Sequence, residues 1–127
     1  MPTFDQFAAT TYISLETFRK DGSAVPTPVW VAGHEGRLVV ITNGTSFKVK
    51  RLRNNPACRL AICNASGKSI LSDWSSGRCE ILEPGAAFDK ALTPLRAKYG
   101  FQFWLLEVGA KLGGKRKQWV VLSIALD

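Results

Sequence analysis

Thr45-Ser46-Phe47-Lys48-Val49-Lys50-Arg51 packs two hydroxyls and three cations into seven residues. Val39, Val40 and Ile41 ahead of it read as the end of a strand. Thr42-Asn43-Gly44 breaks that strand, and Ser46 is placed to cap a short helix that must stop before Pro56. A helix start carries N–H groups with no intrahelical partner and the positive end of the macrodipole, to which Lys48, Lys50 and Arg51 add full charges. That combination holds an anion, and phosphate fits it. A capped, basic, two-turn helix anchored by Val49 and Leu52 over a solvated face has the same pattern, so the stretch alone leaves both readings open.

A second candidate is Thr27-Pro28-Val29-Trp30, inside a strand-like run from Ala24 to Ala32 whose Val25, Thr27, Val29 and Val31 share one face. Pro26 and Pro28 remove two backbone donors two residues apart, so one edge of this strand cannot be fully paired. Either the edge is protected against aggregation, or a planar ligand lies against it. Other chemistry finds little support. His34, the one histidine, sits in a Gly33-His34-Glu35-Gly36 turn and has no second histidine with which to form a metal cage or a catalytic triad. Cys58, Cys63 and Cys79 lie in strand-like segments without C-x-x-C spacing, which suits buried reduced thiols; no metal is expected.

These residues need a scaffold. A chain of 127 residues is long enough for one domain spanning 1–127 with its own core, and a 46% hydrophobic content at near-zero mean hydropathy belongs to an ordinary globular protein. The net charge of +7 favours polyanions, whether nucleic acid, acidic lipid or a phosphate-bearing cofactor. Met1 to Ala9 lacks a basic region followed by an apolar one, so no secretory signal is read and a cytoplasmic location is expected.

The order of elements reads as mainly β. Phe4 to Ala9 forms a short helix or arm, Tyr12 to Phe18 a first strand, and Asp21-Gly22 a hairpin turn into the second strand. Arg37 to Thr42 is a third strand, followed by the anion turn and its helix. Arg59 to Asn64 and Ser76 to Leu82 are the fourth and fifth strands, joined by a loop in which Trp74 either caps the barrel or walls the ligand site. Pro84-Gly85 opens a helical stretch with Phe88, Leu92, Leu95 and Tyr99 at helical spacing, which Thr93-Pro94 either continues or restarts. Phe101 to Leu106 is dense in large apolar groups. With the charged residues around it, the segment 101–117 is too short and polar to span a bilayer and must pack, dimerise or lie on a membrane surface, packing against a second subunit being the preferred reading. Gln118 to Ala125 closes the sheet.

Taken together, these stretches resemble the split β-barrel flavin and deazaflavin family that includes the pyridoxamine-phosphate oxidases. Thr42-Asn43, Ser46-Phe47-Lys48 and Asn55-Pro56 match its phosphate-binding turn, and Thr27-Pro28-Val29-Trp30 resembles the T-P-V-W segment of its deazaflavin-dependent members. With Tyr12 to Arg19, Lys48 to Arg51 and Lys98 to Trp104, the likeness points to a small subgroup of coenzyme F420-dependent enzymes. It implies a split β-barrel of six or more antiparallel strands, with a short helix after the third and a C-terminal helical segment. It also implies a homodimer with its active site at the subunit interface, where Tyr99 and Trp104 either line the neighbour's pocket or belong to the core.

The function implied is hydride transfer between reduced F420 and a small organic acceptor. Lys48, with Lys50 or Arg51 and Ser46, would hold the cofactor phosphate; Thr27 to Trp30 would line its ring, and Thr42, Asn43, Phe47 and Trp74 complete the expected site. No catalytic acid stands out. The alternative cofactor is FMN, in an enzyme like the pyridoxamine-phosphate oxidases. Phe47 stands where flavin oxidases usually carry Arg, and their R-x-x-L-L-K pattern is missing from strand two. A non-catalytic cofactor-binding or nucleic-acid-binding barrel is the remaining reading. There is no RNP-like or K-homology-like pattern, and most aromatics lie in buried-looking runs, so nucleic acid is not the expected partner.

Overall fold

Alternating apolar residues and a tight Asp21-Gly22 turn produce the first hairpin. In the computed structural model, which describes residues 1–127, strands β1 (Tyr12–Phe18) and β2 (Ala24–Trp30) pair antiparallel, with Tyr12 opposite Trp30 and Phe18 opposite Ala24. The chain continues through β3 (Ala32–His34), β4 (Arg37–Asn43), β5 (Ala57–Ile62), β6 (Ser75–Leu82) and β7 (Trp119–Leu126). All seven strands form one antiparallel sheet in the order β2-β1-β5-β6-β7-β4-β3, curled into a split barrel. Helix α1 (Phe4–Ala9) precedes it, α2 (Phe47–Asn54) joins β4 to β5, and α3 (Ala86–Tyr99) and α4 (Phe101–Leu112) lie between β6 and β7.

The curled sheet has a core on each side. Inside the curl, Phe7, Ile13, Leu15, Val31, Leu38, Val40, Leu60, Leu122 and Ile124 pack with Val49 and Leu52 of α2. Outside it, Val39, Trp119 and Val121 meet Phe88, Leu92, Leu95, Tyr99 and Phe103 of the long helices. β4 and β7 are therefore covered on both faces, which is why their sequences run apolar without a break. β1 is also shielded on both faces, although its pattern suggests one polar side. Glu16 is neutralised by Arg59 at 2.6 Å, and Thr17 Oγ1 accepts from Arg51 Nε at 2.7 Å.

Several boundaries differ from the expected ones. The second strand breaks at Val31, and Ala32 to His34 forms a separate strand against Arg37 to Val39, so His34 ends a strand beside the turn. The helix expected after the third strand consequently follows the fourth. β5 starts two residues early at Ala57 and β6 one residue early at Ser75. Pro94 does not restart the helix: α3 runs through it because Leu92, Leu95 and Tyr99 are all buried on one face, and that packing outweighs one lost backbone hydrogen bond. The three cysteines are buried free thiols, and a hydrogen bond with Cys58, then burial, pushes the Cys79 thiol up and keeps it protonated. No helix is long and apolar enough to cross a membrane, and no cluster of three His, Cys, Asp or Glu side chains could hold a metal ion.

Candidate functional site

The turn between β4 and α2 is fixed by its own side chains. Asn43 Oδ1 accepts hydrogen bonds from Thr45 N at 2.8 Å and Thr45 Oγ1 at 2.6 Å, and Asn43 Nδ2 reaches Gln118. Gly44 N donates to Gln118 O at 2.7 Å; a Cβ at residue 44 would sit 2.8 Å from that oxygen, so only glycine permits this approach. Asn43 therefore spends its side chain on building the turn.

Ser46 occupies the N-cap position with extended backbone, yet its side chain caps nothing. Its Oγ is shielded from solvent and has no hydrogen-bond partner. The amides of Phe47, Lys48 and Val49 are the first-turn donors that a helix cannot pair internally, and no side chain supplies acceptors for them. Donor capacity is thus left over where an anion was expected.

The cations next to it are also uncompensated. Lys48 is half-buried and donates from Nζ to Thr42 Oγ1 at 3.1 Å. Burial, then the charge of Arg51, pushes its ammonium below the usual lysine range. Burial and the charge of Arg19 act on Arg51 in the same direction. None of Lys48, Arg51 and Arg19 takes part in an ion pair, whereas five other arginines do.

Lys48 and Thr42 form one end of a groove of about 310 Å³ whose wall is Thr27, Pro28, Val29 and Trp30, closed by Ile41 and Leu106. Trp30 is held flat by Tyr99, with ring centroids 4.4 Å apart and planes at 9°. Tyr99 Oη accepts from Val31 N at 2.8 Å and has the carbonyl oxygens of Thr11 and Val31 at 2.7 and 2.9 Å as acceptors for its proton. Burial pushes the Tyr99 phenol up to about 12. Lys98 Nζ donates to the carbonyls of Ala8, Thr10 and Val31, tying α1 and the end of β2 to α3. β2 is an edge strand paired only with β1, as its two prolines require.

Six of the expected residues thus line one groove: Thr27, Pro28, Val29, Trp30, Thr42 and Lys48. Asn43, Ser46, Lys50 and Arg51 are chain neighbours of Thr42 and Lys48 and do not line it. Phe47 points to solvent at 74% exposure, with Lys50 Nζ 5.3 Å from its ring centre. Trp74 lies under the Arg59 guanidinium, 5.2 Å from its ring centre, and does not line the groove. Tyr99 is core, stacked behind Trp30, and Trp104 is 55% exposed. Sequence reasoning missed Ile41, Leu106 and Arg19. Ile41 continues the apolar run of Val39 and Val40 and was legible as strand; Leu106 arrives from a distant helix and left no local signal.

Residues 3–125 match the family described as pyridoxamine 5′-phosphate oxidase. No curated protein matches the chain in sequence. Among solved structures, a conserved hypothetical protein of Mycobacterium tuberculosis is similar with a TM-score of 0.72 at 18% identity, covering 99% of this chain and 81% of that one. HutZ, a heme storage protein of Vibrio cholerae, gives 0.70 at 8% identity over 97% and 87%. An F420 reductase gives 0.63 at 16% identity over 100% and 96%. At these identities the likeness is one of fold.

Proposed function

This chain belongs to the pyridoxamine 5′-phosphate oxidase family, and on that premise we propose that it is an oxidoreductase whose groove holds coenzyme F420 and exchanges a hydride with a small organic acceptor. Lys48 carries the reading. It is half-buried, free of any carboxylate, and placed at the end of an apolar groove beside unpaired amides and the orphaned Ser46 hydroxyl. A phosphate there would recover the burial cost of the ammonium and satisfy those donors. Arg51 and Arg19 would add charge from the second rank. The wall from Thr27 to Trp30 offers a planar ring an edge without competing N–H donors at Pro26 and Pro28, and Tyr99 keeps Trp30 from rotating. When bound, the deazaflavin supplies the hydride chemistry; the protein contributes placement and electrostatics.

FMN is the second reading, and the family as a whole favours it. Against it stand Phe47 at the position where flavin oxidases usually carry Arg, and the T-P-V-W sequence of β2. Titrating the protein with F420 and with FMN while following tryptophan fluorescence separates the two. Saturable quenching by F420 with weak FMN binding is the expected result. Yellow FMN that copurifies and whose reduced form reacts with oxygen would transfer the proposal to FMN, and binding of neither would overturn it.

A further inference from the structure

β2 and β3 follow one another in the chain but lie at opposite edges of the sheet, β2 against β1 and β3 against β4. Val31 alone joins them, so it carries the backbone across the split in the barrel. Its side chain is fully buried, and its N–H and C=O have no backbone partner. An unpaired buried peptide is costly, and two side chains from the last turn of α3 remove that cost. Tyr99 Oη accepts from Val31 N, and Val31 O accepts from Lys98 Nζ at 2.6 Å.

Lys98 does more than fill that gap. Its ammonium also donates to Ala8 O at 2.7 Å and to Thr10 O, carbonyls at the end of α1 that no helical turn pairs. An ammonium has three donors and no acceptor, and three carbonyls from two parts of the chain take them all. No carboxylate pairs with it, and burial pushes it below the usual lysine range. Lys98 Nζ lies 5.3 Å from the centre of the Tyr99 ring, which stacks on Trp30. Trp30 directly precedes Val31 and ends the groove wall, whereas neither Lys98 nor Tyr99 lines the groove. Any displacement of Val31 therefore carries Trp30 with it.

We propose that Lys98 is a positioning residue of the groove: its ammonium fixes the Val31 corner, and through that corner and the Tyr99 ring it sets the plane of Trp30 against which a bound planar ring lies. The last step rests on the reading of the groove as a cofactor site; the hold on Trp30 does not. A wall in its binding position only part of the time lowers apparent affinity by that fraction. Removing the ammonium should therefore weaken ring binding although it touches no ring.

Fluorine NMR of protein labelled with 5-fluorotryptophan tests this on the free chain, with Trp30→Phe identifying one of the four tryptophan lines. In Lys98→Met the Trp30 line is expected to shift or to broaden by exchange while the Trp74 and Trp104 lines stay. The dissociation constant for F420 is expected to rise about tenfold, as for a wall in place about a tenth of the time. In Lys98→Ala, propylammonium replaces the deleted atoms and should restore both the line and the affinity. Propanol, which fills the space with one donor and no charge, should restore neither. A Lys98→Met protein with the wild-type Trp30 line and the wild-type F420 affinity overturns the proposal, even where urea unfolding shows lost stability, and makes Lys98 scaffold only. Should Lys98→Met not fold, Lys98→Ala refolded with amine or with alcohol decides: recovery with propylammonium alone supports the proposal, and recovery with either overturns it. A wild type that fails to bind F420, with the Trp30 line still moved in Lys98→Met, would refute the cofactor reading and leave the hold on Trp30 standing.

Discussion

The two ends of the groove treat polar atoms in opposite ways. Behind Trp30, the Tyr99 hydroxyl has three backbone partners and Lys98 three carbonyls. Nearby, Arg96 of α3 and Arg116 of the turn after α4 converge on Glu107. Burial alone would raise that carboxyl, and the two guanidiniums outweigh it and hold it below the usual range. At the other end Ser46 Oγ has no partner, three amides have none, and Lys48, Arg51 and Arg19 converge without a carboxylate. A buried polar group left unpaired costs free energy, so the first end reads as scaffold and the second accords with the ligand site proposed above.

The comparison can be broken most severely at the scaffold end. Tyr99→Phe strips the Val31 N–H of its acceptor and is expected to cost about 1–3 kcal/mol near pH 7, measured by urea unfolding. The same variant sharpens the argument at high pH. The unfolded phenol ionises near 10.0 and the folded one at about 12, so the folded state retains a proton that the unfolded state gives up between those values. The wild type should therefore lose stability from this source as pH rises from 10 toward 12, and Tyr99→Phe should not.

Glu107→Gln is expected to follow, with a loss of about 1–2 kcal/mol and no change in cofactor affinity. Because the Glu107 carboxyl is depressed, its contribution is present at neutral pH and vanishes as pH falls through its lowered folded value. Thermal unfolding of wild type and variant should converge in acid.

Smaller effects are expected at the ligand end, and they should appear in binding. Arg51→Gln should weaken cofactor binding about threefold to fivefold through lost long-range attraction, and should cost about 1 kcal/mol of stability because the buried Thr17 hydroxyl loses its partner. Lys50→Ala, whose ammonium lies over an exposed Phe47, should change either quantity by less than about 0.5 kcal/mol.

Legibility in the sequence followed the range of the forces involved. The first hairpin, the turn from β4 into α2 and the helix with Phe88, Leu92, Leu95 and Tyr99 are governed by local periodicity and turn chemistry, and these were readable. Ala32-Gly33-His34 was not, because three residues carry no alternation and its strand exists only through pairing with Arg37 to Val39. The convergence of Thr27 to Trp30 on Thr42 and Lys48 was accessible only through family resemblance. Leu106 in the groove and Tyr99 behind Trp30 depend on how α3 and α4 dock, which no short stretch encodes. Trp74 had two local readings, and its contact with Arg59 could not be found from spacing.

The most direct measurement is the dissociation constant for F420 in the wild type and in Lys48→Ala, with a melting curve for each. The account predicts a weakening of about 10- to 100-fold in the variant, the worth of one charge-assisted contact, at an unchanged or slightly higher melting temperature because burial already disfavours that ammonium. It also predicts that wild-type affinity falls with rising pH, starting below the ordinary lysine range. Equal affinity in the two proteins, or a variant that binds as before but unfolds earlier, would contradict it and make Lys48 part of the scaffold.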